Sequence, residues 1–232
     1  MPSALPTPHP TPAPAPAGRP GTRVTRRRAE TRRRLLDAAF DAFAELGVGR
    51  VRVEDVCERA GYTRGAFYSN FDSLDELFFA LYQERAATIT EQVTVALARE
   101  ERPARRDLVA RVVAALSFDR SWSLVVAEFT LYAARRPALS AQLAERRDAV
   151  QIALARVVDD AVDRGHLPAS MRSADGLAAA ILTIYHGVNG EMLIHGDEAR
   201  ARAWLTDLLT VLVGVPGRDV GVVTSNSRSP GS

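Results

Sequence analysis

The chain has 232 residues, 47% of them hydrophobic, which is enough apolar material for a sizeable core and more than one structural unit. Its 30 basic and 28 acidic residues leave a net charge of +2, and its one cysteine, Cys57, excludes an intramolecular disulfide and a cysteine-based metal cluster. We see no run of about eighteen apolar residues, so no membrane span is expected and a cytoplasmic protein is predicted.

The first segment, residues 1–24, is rich in proline and alanine. Eight of the thirteen prolines fall within residues 1–20. Such repeats favour an extended polyproline conformation, and no long apolar stretch marks a secretory signal. We expect a disordered arm here and a second disordered segment over residues 216–232, where polar residues and glycine follow Pro216.

Arginines are concentrated near this arm. Residues 1–72 hold twelve arginines and eight acidic residues, a net charge of +4, whereas residues 73–232 carry a net charge of −2. A run of charge is usually a solvated surface, but arginines placed before and on a helix can neutralise phosphates. Glu30 is the only acid among the clustered arginines, which are Arg19, Arg23, Arg26, Arg27, Arg28, Arg32, Arg33 and Arg34.

A small three-helix unit is predicted over residues 25–72. Its first helix has an apolar stripe at helical spacing that ends at Gly47. Two shorter helices follow, with Gly61 in the turn between them and Thr63 as the N-cap of the second, which is the spacing of a helix-turn-helix. The apolar positions of the three helices together are Leu36, Ala39, Phe40, Phe43, Leu46, Val53, Val56, Cys57, Ala60, Ala66 and Phe67.

The helix after Thr63 leaves Arg64, Gly65, Tyr68 and Ser69 facing outward. Gly65 lies in its first turn, where glycine costs roughly 1 kcal/mol relative to alanine. Two explanations are about equally open: Gly65 permits close approach to a phosphate or base edge, or it lets two helices pack closely. The unpaired N–H groups at this helix start favour a phosphate oxygen, so we interpret the face as one that contacts DNA.

The stretch from Thr25 to Tyr82 resembles the DNA-binding domain of the tetracycline-repressor (TetR) family. The resemblance is carried by Asp55-Val56-Cys57, by Ala60 to Tyr68 and by Phe71-Asp72-Ser73. It implies an all-α homodimer with an N-terminal helix-turn-helix that binds double-stranded DNA and a C-terminal domain that binds a small effector. The family default is a repressor that effector binding releases from its operator.

Within that resemblance, Thr63 would hold a phosphate and Arg64 would reach a base edge or a phosphate. Ala66 matches a position that touches a thymine methyl, and Tyr68 and Asn70 match the pair that grips the DNA backbone. Arg52 departs from the family, because it occupies the usual Ser or Thr cap position, which costs about 1 kcal/mol. Leu74 replaces a common phosphate-binding lysine. The full predicted DNA-binding set is Arg27, Arg28, Arg32, Thr63, Arg64, Gly65, Ala66, Tyr68, Ser69 and Asn70.

Residues 73–215 are predicted to form a helical effector-binding and dimerisation domain, whose first helix links it to the DNA-binding unit. Proline and glycine separate periodic segments at roughly 107–118, 121–135, 138–163, 174–194 and 198–213. The last two segments are unusually apolar, so we expect them to form a four-helix dimer interface. Their apolar residues are Ile181, Ile184, Val188, Leu193, Trp204, Leu205, Leu208, Leu209 and Leu212.

A ligand pocket is expected among the middle helices of this domain. Its aromatic residues are also compatible with a plain core, and Glu128 is expected to pair with an arginine or to meet the ligand. The scarcity of charge indicates a largely apolar effector, and no metal or cofactor is expected. The predicted lining is Phe118, Trp122, Phe129, Tyr132, Tyr185, His186 and Asn189.

Two other functions are compatible with parts of the sequence and compete with that of a ligand-responsive regulator. A metal-dependent hydrolase would use His186, Glu191, His195 and Asp197, but the two histidines are about 900° apart around one helix and point to opposite sides. No catalytic residue is therefore predicted, and we do not expect an enzyme. An effector-independent architectural DNA-binding protein stays open, although dimerisation alone would need only two C-terminal helices.

Overall fold

A computed structural model describes residues 20–98, 105–171 and 175–214, and every regular element within these ranges is helical. The predicted all-α fold is confirmed. Residues 1–19 of the predicted arm and the predicted tail, 216–232, lie outside the described residues. A short 3-10 helix, Ala169–Met171, accompanies the α-helices, which are α1 (Pro20–Leu46), α2 (Val53–Ala60), α3 (Arg64–Tyr68), α4 (Leu74–Leu97), α5 (Arg105–Ala115), α6 (Arg120–Ala134), α7 (Pro137–Asp163), α8 (Asp175–His195) and α9 (Glu198–Gly214).

Local signals place the first three helices. Helix α1 begins at Pro20, so residues 20–24 are helical, and the predicted boundary of the arm at residue 24 is wrong. The side chain of Arg52 makes no cap hydrogen bond to α2, but the Asp55 carboxylate accepts the Arg52 N–H at 2.7 Å and so satisfies one free donor. Gly61 ends α2 in the left-handed region at φ 71°, a conformation that glycine adopts without strain.

One core holds the N-terminal helices together and continues into the C-terminal half. Phe67 of α3 and Phe78 of α4 are fully buried, and Phe129 of α6 stacks on Phe78 with their ring planes 8° apart. Leu139 and Leu143 of α7 belong to the same cluster. The predicted unit 25–72 therefore shares its core with α6 and α7, because three short helices alone bury too little apolar surface.

A second core lies among α4, α5, α8 and α9. Val93 of α4 packs with Val113, Val188 and Leu205 there, whereas Phe78 and Tyr82, nearer the start of α4, belong to the first core. Helix α4 thus contributes side chains to both cores. The space between the cores is where a cavity forms.

Helices α8 and α9 are less buried than their apolar composition suggests. The segment Gly176–His195 is long and apolar enough to cross a membrane by length and composition, although the sequence analysis expected no such run, and 28% of that window is buried. The same property marks core helices of helical bundles. On α9, Trp204, Leu208 and Val211 are exposed, at helical spacing along one face.

Candidate nucleic-acid interface and internal cavity

The short helix α3 presents its N-terminal end and one face to solvent. Thr63 caps it, with Oγ1 accepting the Ala66 N–H at 3.2 Å, as predicted. Arg64 and Tyr68 are exposed, whereas Ala66 is half-buried and Phe67 anchors the helix from below. Because Thr63 uses its oxygen as an acceptor, its hydroxyl hydrogen remains able to bind an anionic oxygen.

Arg64 is held in place by its neighbours. Its Nη1 lies 2.9 Å from Oε1 of Glu54 on α2, and its Cζ lies 5.9 Å from the centroid of the Tyr68 ring. The ion pair is solvent-exposed and therefore weak. The guanidinium is thus oriented on the outer face and can exchange its carboxylate partner for a phosphate or a base edge.

The packing around Gly65 separates the two explanations of this residue. A Cβ built on Gly65 would meet only Oγ1 of Thr63, at 3.7 Å, which is an ordinary contact. No second helix approaches it among the described residues, so close helix packing does not account for glycine here.

The residues after α3 mainly stabilise that helix. The Ser69 hydroxyl donates to the Gly65 carbonyl and the Asn70 amide donates to the Ala66 carbonyl, each at 2.8 Å. From α1, Arg28 donates to the Ser69 carbonyl at 3.3 Å and Arg32 to the Asn70 carbonyl at 3.2 Å. These arginines dock α1 on the end of α3 as well as bringing positive charge to its edge.

Of three further residues in this region, one belongs to the predicted DNA-binding set and two do not. Arg27 is exposed on α1 within the same arginine cluster. Leu74, at the position where a phosphate-binding lysine is common in the family, is half-buried against the first core. Cys57 is buried, and burial raises the pKa of its thiol, so it stays in the unreactive protonated form.

A cavity of about 510 Å³, partly open to solvent, is lined by residues of both cores, and its volume is in the range of small-molecule sites. Side chains from all six helices α4 to α9 line it. The lining is mostly aliphatic, with Ile89 and Val93 from α4, Val126 from α6 and Leu205 from α9 as examples. The predicted pocket among the middle helices is therefore present as a space, but more helices build it than were expected.

Four of the seven predicted lining residues reach this cavity: Trp122, Tyr185, His186 and Asn189. The other three do not line it. Phe118 is buried in the second core against Tyr185, and Phe129 is buried in the first core between Phe78 and Phe79. Tyr132 faces the turn at Gly49 near the N-terminal unit. Their helical spacing identified an apolar face of the helix, but it could not show whether that face packs into a core or lines the cavity.

The polar lining groups are mostly paired with protein. The Ser123 hydroxyl donates to Oδ1 of buried Asn189 at 2.9 Å, and Nη2 of Arg85 lies 3.3 Å from a carboxylate oxygen of Asp119. Arg147 of α7 donates from Nη2 to the Thr130 hydroxyl at 3.0 Å. The sequence does not indicate Arg85 and Arg147 as lining residues, because arginines among other charged residues carry no signal of burial.

Proton affinities around the cavity follow from burial and from Arg147. Burial raises the pKa of Tyr82 and of Tyr185, so both phenols stay neutral. At the exposed rim, desolvation and the nearby Arg147 guanidinium lower the pKa of His186, which is therefore neutral at pH 7. The histidine adds no positive charge to the cavity.

Helix α6 connects the cavity with the N-terminal unit. Trp122, Val126 and Thr130 line the cavity from one side of the helix. Glu128, on another side, accepts the Val48 N–H at 2.8 Å in the turn after α1. The expectation that Glu128 pairs with an arginine or meets the ligand is wrong, because its carboxylate serves this backbone donor and sits against Gly47.

The residues of the hydrolase alternative do not converge. His195 pairs with Glu191 at 3.4 Å near the end of α8, whereas His186 lies at the cavity rim. Within the described part of the chain, no group of three or more His, Cys, Asp or Glu side chains is arranged to hold a metal ion.

Known proteins resemble this chain most clearly in the region of the helix-turn-helix. Residues 35–81 match the family described as bacterial regulatory proteins, tetR family. The regulator TtgR of Pseudomonas putida is 46% identical over 52 residues, which are 22% of this chain and only 25% of TtgR. The repressor BepR of Brucella suis is 29% identical over 177 residues, covering 73% of this chain and 83% of BepR.

Solved structures share the fold beyond the matched region. The crystal structure of a TetR-family transcriptional regulator from Rhodococcus sp. superposes with a TM-score of 0.63 at 24% identity, covering 80% of this chain and 99% of that one. This likeness extends the agreement from the helix-turn-helix to the whole helical arrangement. Residues 35–81, on α1 to α4, thus match the tetR family in sequence, and the described helices share the fold of solved TetR-family regulators.

Proposed function

We propose that this protein is a homodimeric regulator, by family default a repressor, that binds a pseudo-palindromic operator and leaves it when a small, largely apolar effector enters the cavity. The observation that carries the proposal is helix α6, which lines the apolar cavity and also binds the turn after α1 through Glu128. One face of α6 thus contacts a site for a small molecule, and another face contacts the unit that carries α3.

In this proposal α3 enters the DNA major groove. Thr63 binds a phosphate through its hydroxyl, Arg64 contacts a base edge or phosphate, and Tyr68 contacts the backbone. The bare backbone at Gly65 allows the helix to approach closely. Arg27, Arg28 and Arg32 supply positive charge beside the groove, so affinity falls steeply with salt.

The second subunit docks on α8 and α9. Trp204, Leu208 and Val211 form one exposed apolar face of α9, and Gly187, Gly190 and Ile194 lie on the exposed side of α8. Val188, Leu205 and Leu209, which the sequence analysis included in the interface, are buried within the subunit instead. A face this apolar favours association with its own copy in a four-helix arrangement.

Effector binding acts on DNA through the position of α6. A ligand that displaces Trp122 or Thr130 shifts this helix, and the Glu128 carboxylate carries the shift to the Val48 N–H. Because α1 and α2 move with that turn, the two recognition helices of a dimer change their separation. A dimer holds its half-sites about 34 Å apart, or a small multiple of that, so a modest change weakens binding.

Selection of bound duplexes from random DNA with the purified full chain tests the proposal. We expect an inverted repeat, with affinity that falls as salt rises. Arg64→Ala should fail to enrich the same sequence. Enrichment of many unrelated sequences with equal affinity would favour the architectural alternative, and failure to bind any duplex at low salt would reject DNA binding altogether.

A further inference from the structure

We infer that the effector is an amphiphilic anion, a mainly apolar molecule with one carboxylate that Arg147 binds inside the cavity. The inference rests on the proposed function, because it names the chemistry of the ligand that the same cavity takes. It starts from the balance of charge on the cavity wall.

Arg85 and Arg147 are the charged side chains among the described residues that line the cavity, and none of those residues is acidic. Arg85 is balanced by Asp119, whose carboxylate lies 3.3 Å away. Arg147 has no carboxylate within 4 Å in the part of the chain that the structure describes. Because a guanidinium is always protonated in proteins, the cavity wall holds one uncompensated positive charge.

The hydrogen bonds of Arg147 leave donors for a ligand. Its Nη2 donates to the neutral Thr130 hydroxyl, and its other close polar neighbour, Tyr82, is also neutral. Its Nε is shielded from solvent and has no acceptor among the described residues. A carboxylate in the cavity would supply the missing countercharge and accept from the guanidinium N–H groups other than the covered Nε.

The other side chains of the cavity wall indicate the polarity of the rest of the ligand. Ile89, Val126, Leu154 and Leu209 are typical of the lining, so the body of the ligand is apolar. A second anionic group would be buried beside aliphatic carbon without a partner, which is costly. A cationic ligand would meet Arg147 and find no acidic group on the described wall.

Three probes of equal chain length separate these possibilities: decanoate, decanol and decylamine, each titrated calorimetrically into the full chain below its micelle concentration. We expect decanoate to bind at least about tenfold more tightly than decanol, since a charge-assisted hydrogen bond contributes that much or more. Decylamine should bind most weakly.

Arg147→Met tests the residue itself. Methionine keeps an apolar stem without the charge, so decanoate should lose about tenfold to a hundredfold in affinity while decanol binds as before or better. Arg147→Lys keeps the charge and should retain part of the preference. Arg146→Met is the matched control, because that guanidinium lies 5.6 Å from the Phe79 ring and outside the cavity lining.

Equal affinities for decanoate and decanol in the wild type, an unchanged ratio in Arg147→Met, or binding of none of the probes would overturn the inference. If Arg147→Met does not fold, the wild-type comparison and the lysine variant decide. Operator binding is measured with the same preparations. Intact operator binding without a carboxylate preference rejects this inference alone, whereas loss of all duplex binding in the wild type rejects the proposed function.

Discussion

The helix-turn-helix and the cavity are built over very different stretches of chain. The residues that orient the recognition surface, from Glu54 to Asn70, lie close together in sequence, and their caps and turn use hydrogen bonds between near neighbours. The cavity instead collects side chains from six helices between Tyr82 and Val213. Local sequence therefore sets the caps and the turn of the first region, to which only the docking of Arg28 and Arg32 on α3 adds a longer-range contact among those named here, and packing between distant helices determines the second.

Under the proposed function, this difference suits the two regions to distinct tasks. A locally stabilised surface stays the same shape while the subunits move, so it can read DNA as a rigid body. A space enclosed by six helices changes shape when any of them shifts. Glu128 joins the two regions by a single charge-assisted hydrogen bond to Val48. If the two regions are stabilised independently, a substitution in one should leave the properties of the other unchanged.

The largest effect is expected from the exposed face of α9. Trp204→Glu combined with Leu208→Glu places two charges on an apolar surface, so the protein should sediment as a monomer and lose about a hundredfold or more in operator affinity as bivalent binding is lost. Val95→Glu, a similarly exposed apolar position on α4, is the control and should stay dimeric. A dimeric double variant would reject the α9 face as the interface.

Removing the arginine of the recognition helix should act on DNA binding alone. Arg64→Ala loses one base or phosphate contact, and operator affinity should fall about tenfold to a hundredfold with the melting temperature nearly unchanged. Arg164→Ala is matched to it, because Arg164 also forms an exposed ion pair, with Asp160 at 2.8 Å. Equal operator affinity of wild type and Arg64→Ala would show that α3 is not the DNA-reading helix.

Alanine substitutions at two glycines, compared with each other, measure the contribution of the Glu128 contact to stability. Gly47 and Gly61 have φ values of 84° and 71°, so alanine at either position adds strain of roughly 1 to 2 kcal/mol. Only at Gly47 does a new Cβ also meet Glu128, at 3.0 Å from Oε2. We expect Gly47→Ala to lower the free energy of unfolding by about 1 kcal/mol more than Gly61→Ala, as the Glu128 hydrogen bond weakens. Equal losses in chemical denaturation would mean that the contact adds nothing to stability.

The smallest effect is expected from Gly65→Ala, which should raise stability but lower operator affinity. Gly65→Ala removes a poor helix former at an uncrowded site, so the free energy of unfolding should rise by about 0.5 to 1 kcal/mol. Operator affinity should fall, because the added methyl group keeps the helix from the DNA. Tighter operator binding by the variant would show that glycine is not needed for close approach, and a lower stability would contradict the packing around it.

Much of the fold could be predicted from sequence because its signals are local. Thr63 and Gly61 mark the ends of α3 and α2, and the cap predicted at Thr63 is confirmed by its bond to Ala66. The start of α1 was placed too late, because an arginine-rich polar segment has no apolar stripe that shows where the helix begins.

The cavity lining was only partly predictable. Trp122 and Asn189 were identified, whereas Phe129 packs into the first core although it lies on the same helix as Trp122. Arg147 carries no signal in the sequence, since the neighbouring Arg146 has the same chemistry and lies outside the lining. Helical periodicity gives the direction of a side chain around its own helix but not the identity of the helix it meets.

The sequence by itself determined the helices, the turn at Gly61, the cap at Thr63 and the exposed face of α3, because each depends on residues within one or two turns of one another. Only the tertiary structure decided which apolar faces are buried inside the subunit, which of the two described cavity-lining arginines has no carboxylate within 4 Å in the described chain, and that Glu128 binds the turn after α1. Those outcomes depend on contacts between residues up to 80 or more positions apart, where many alternative pairings have the same local pattern and packing selects one.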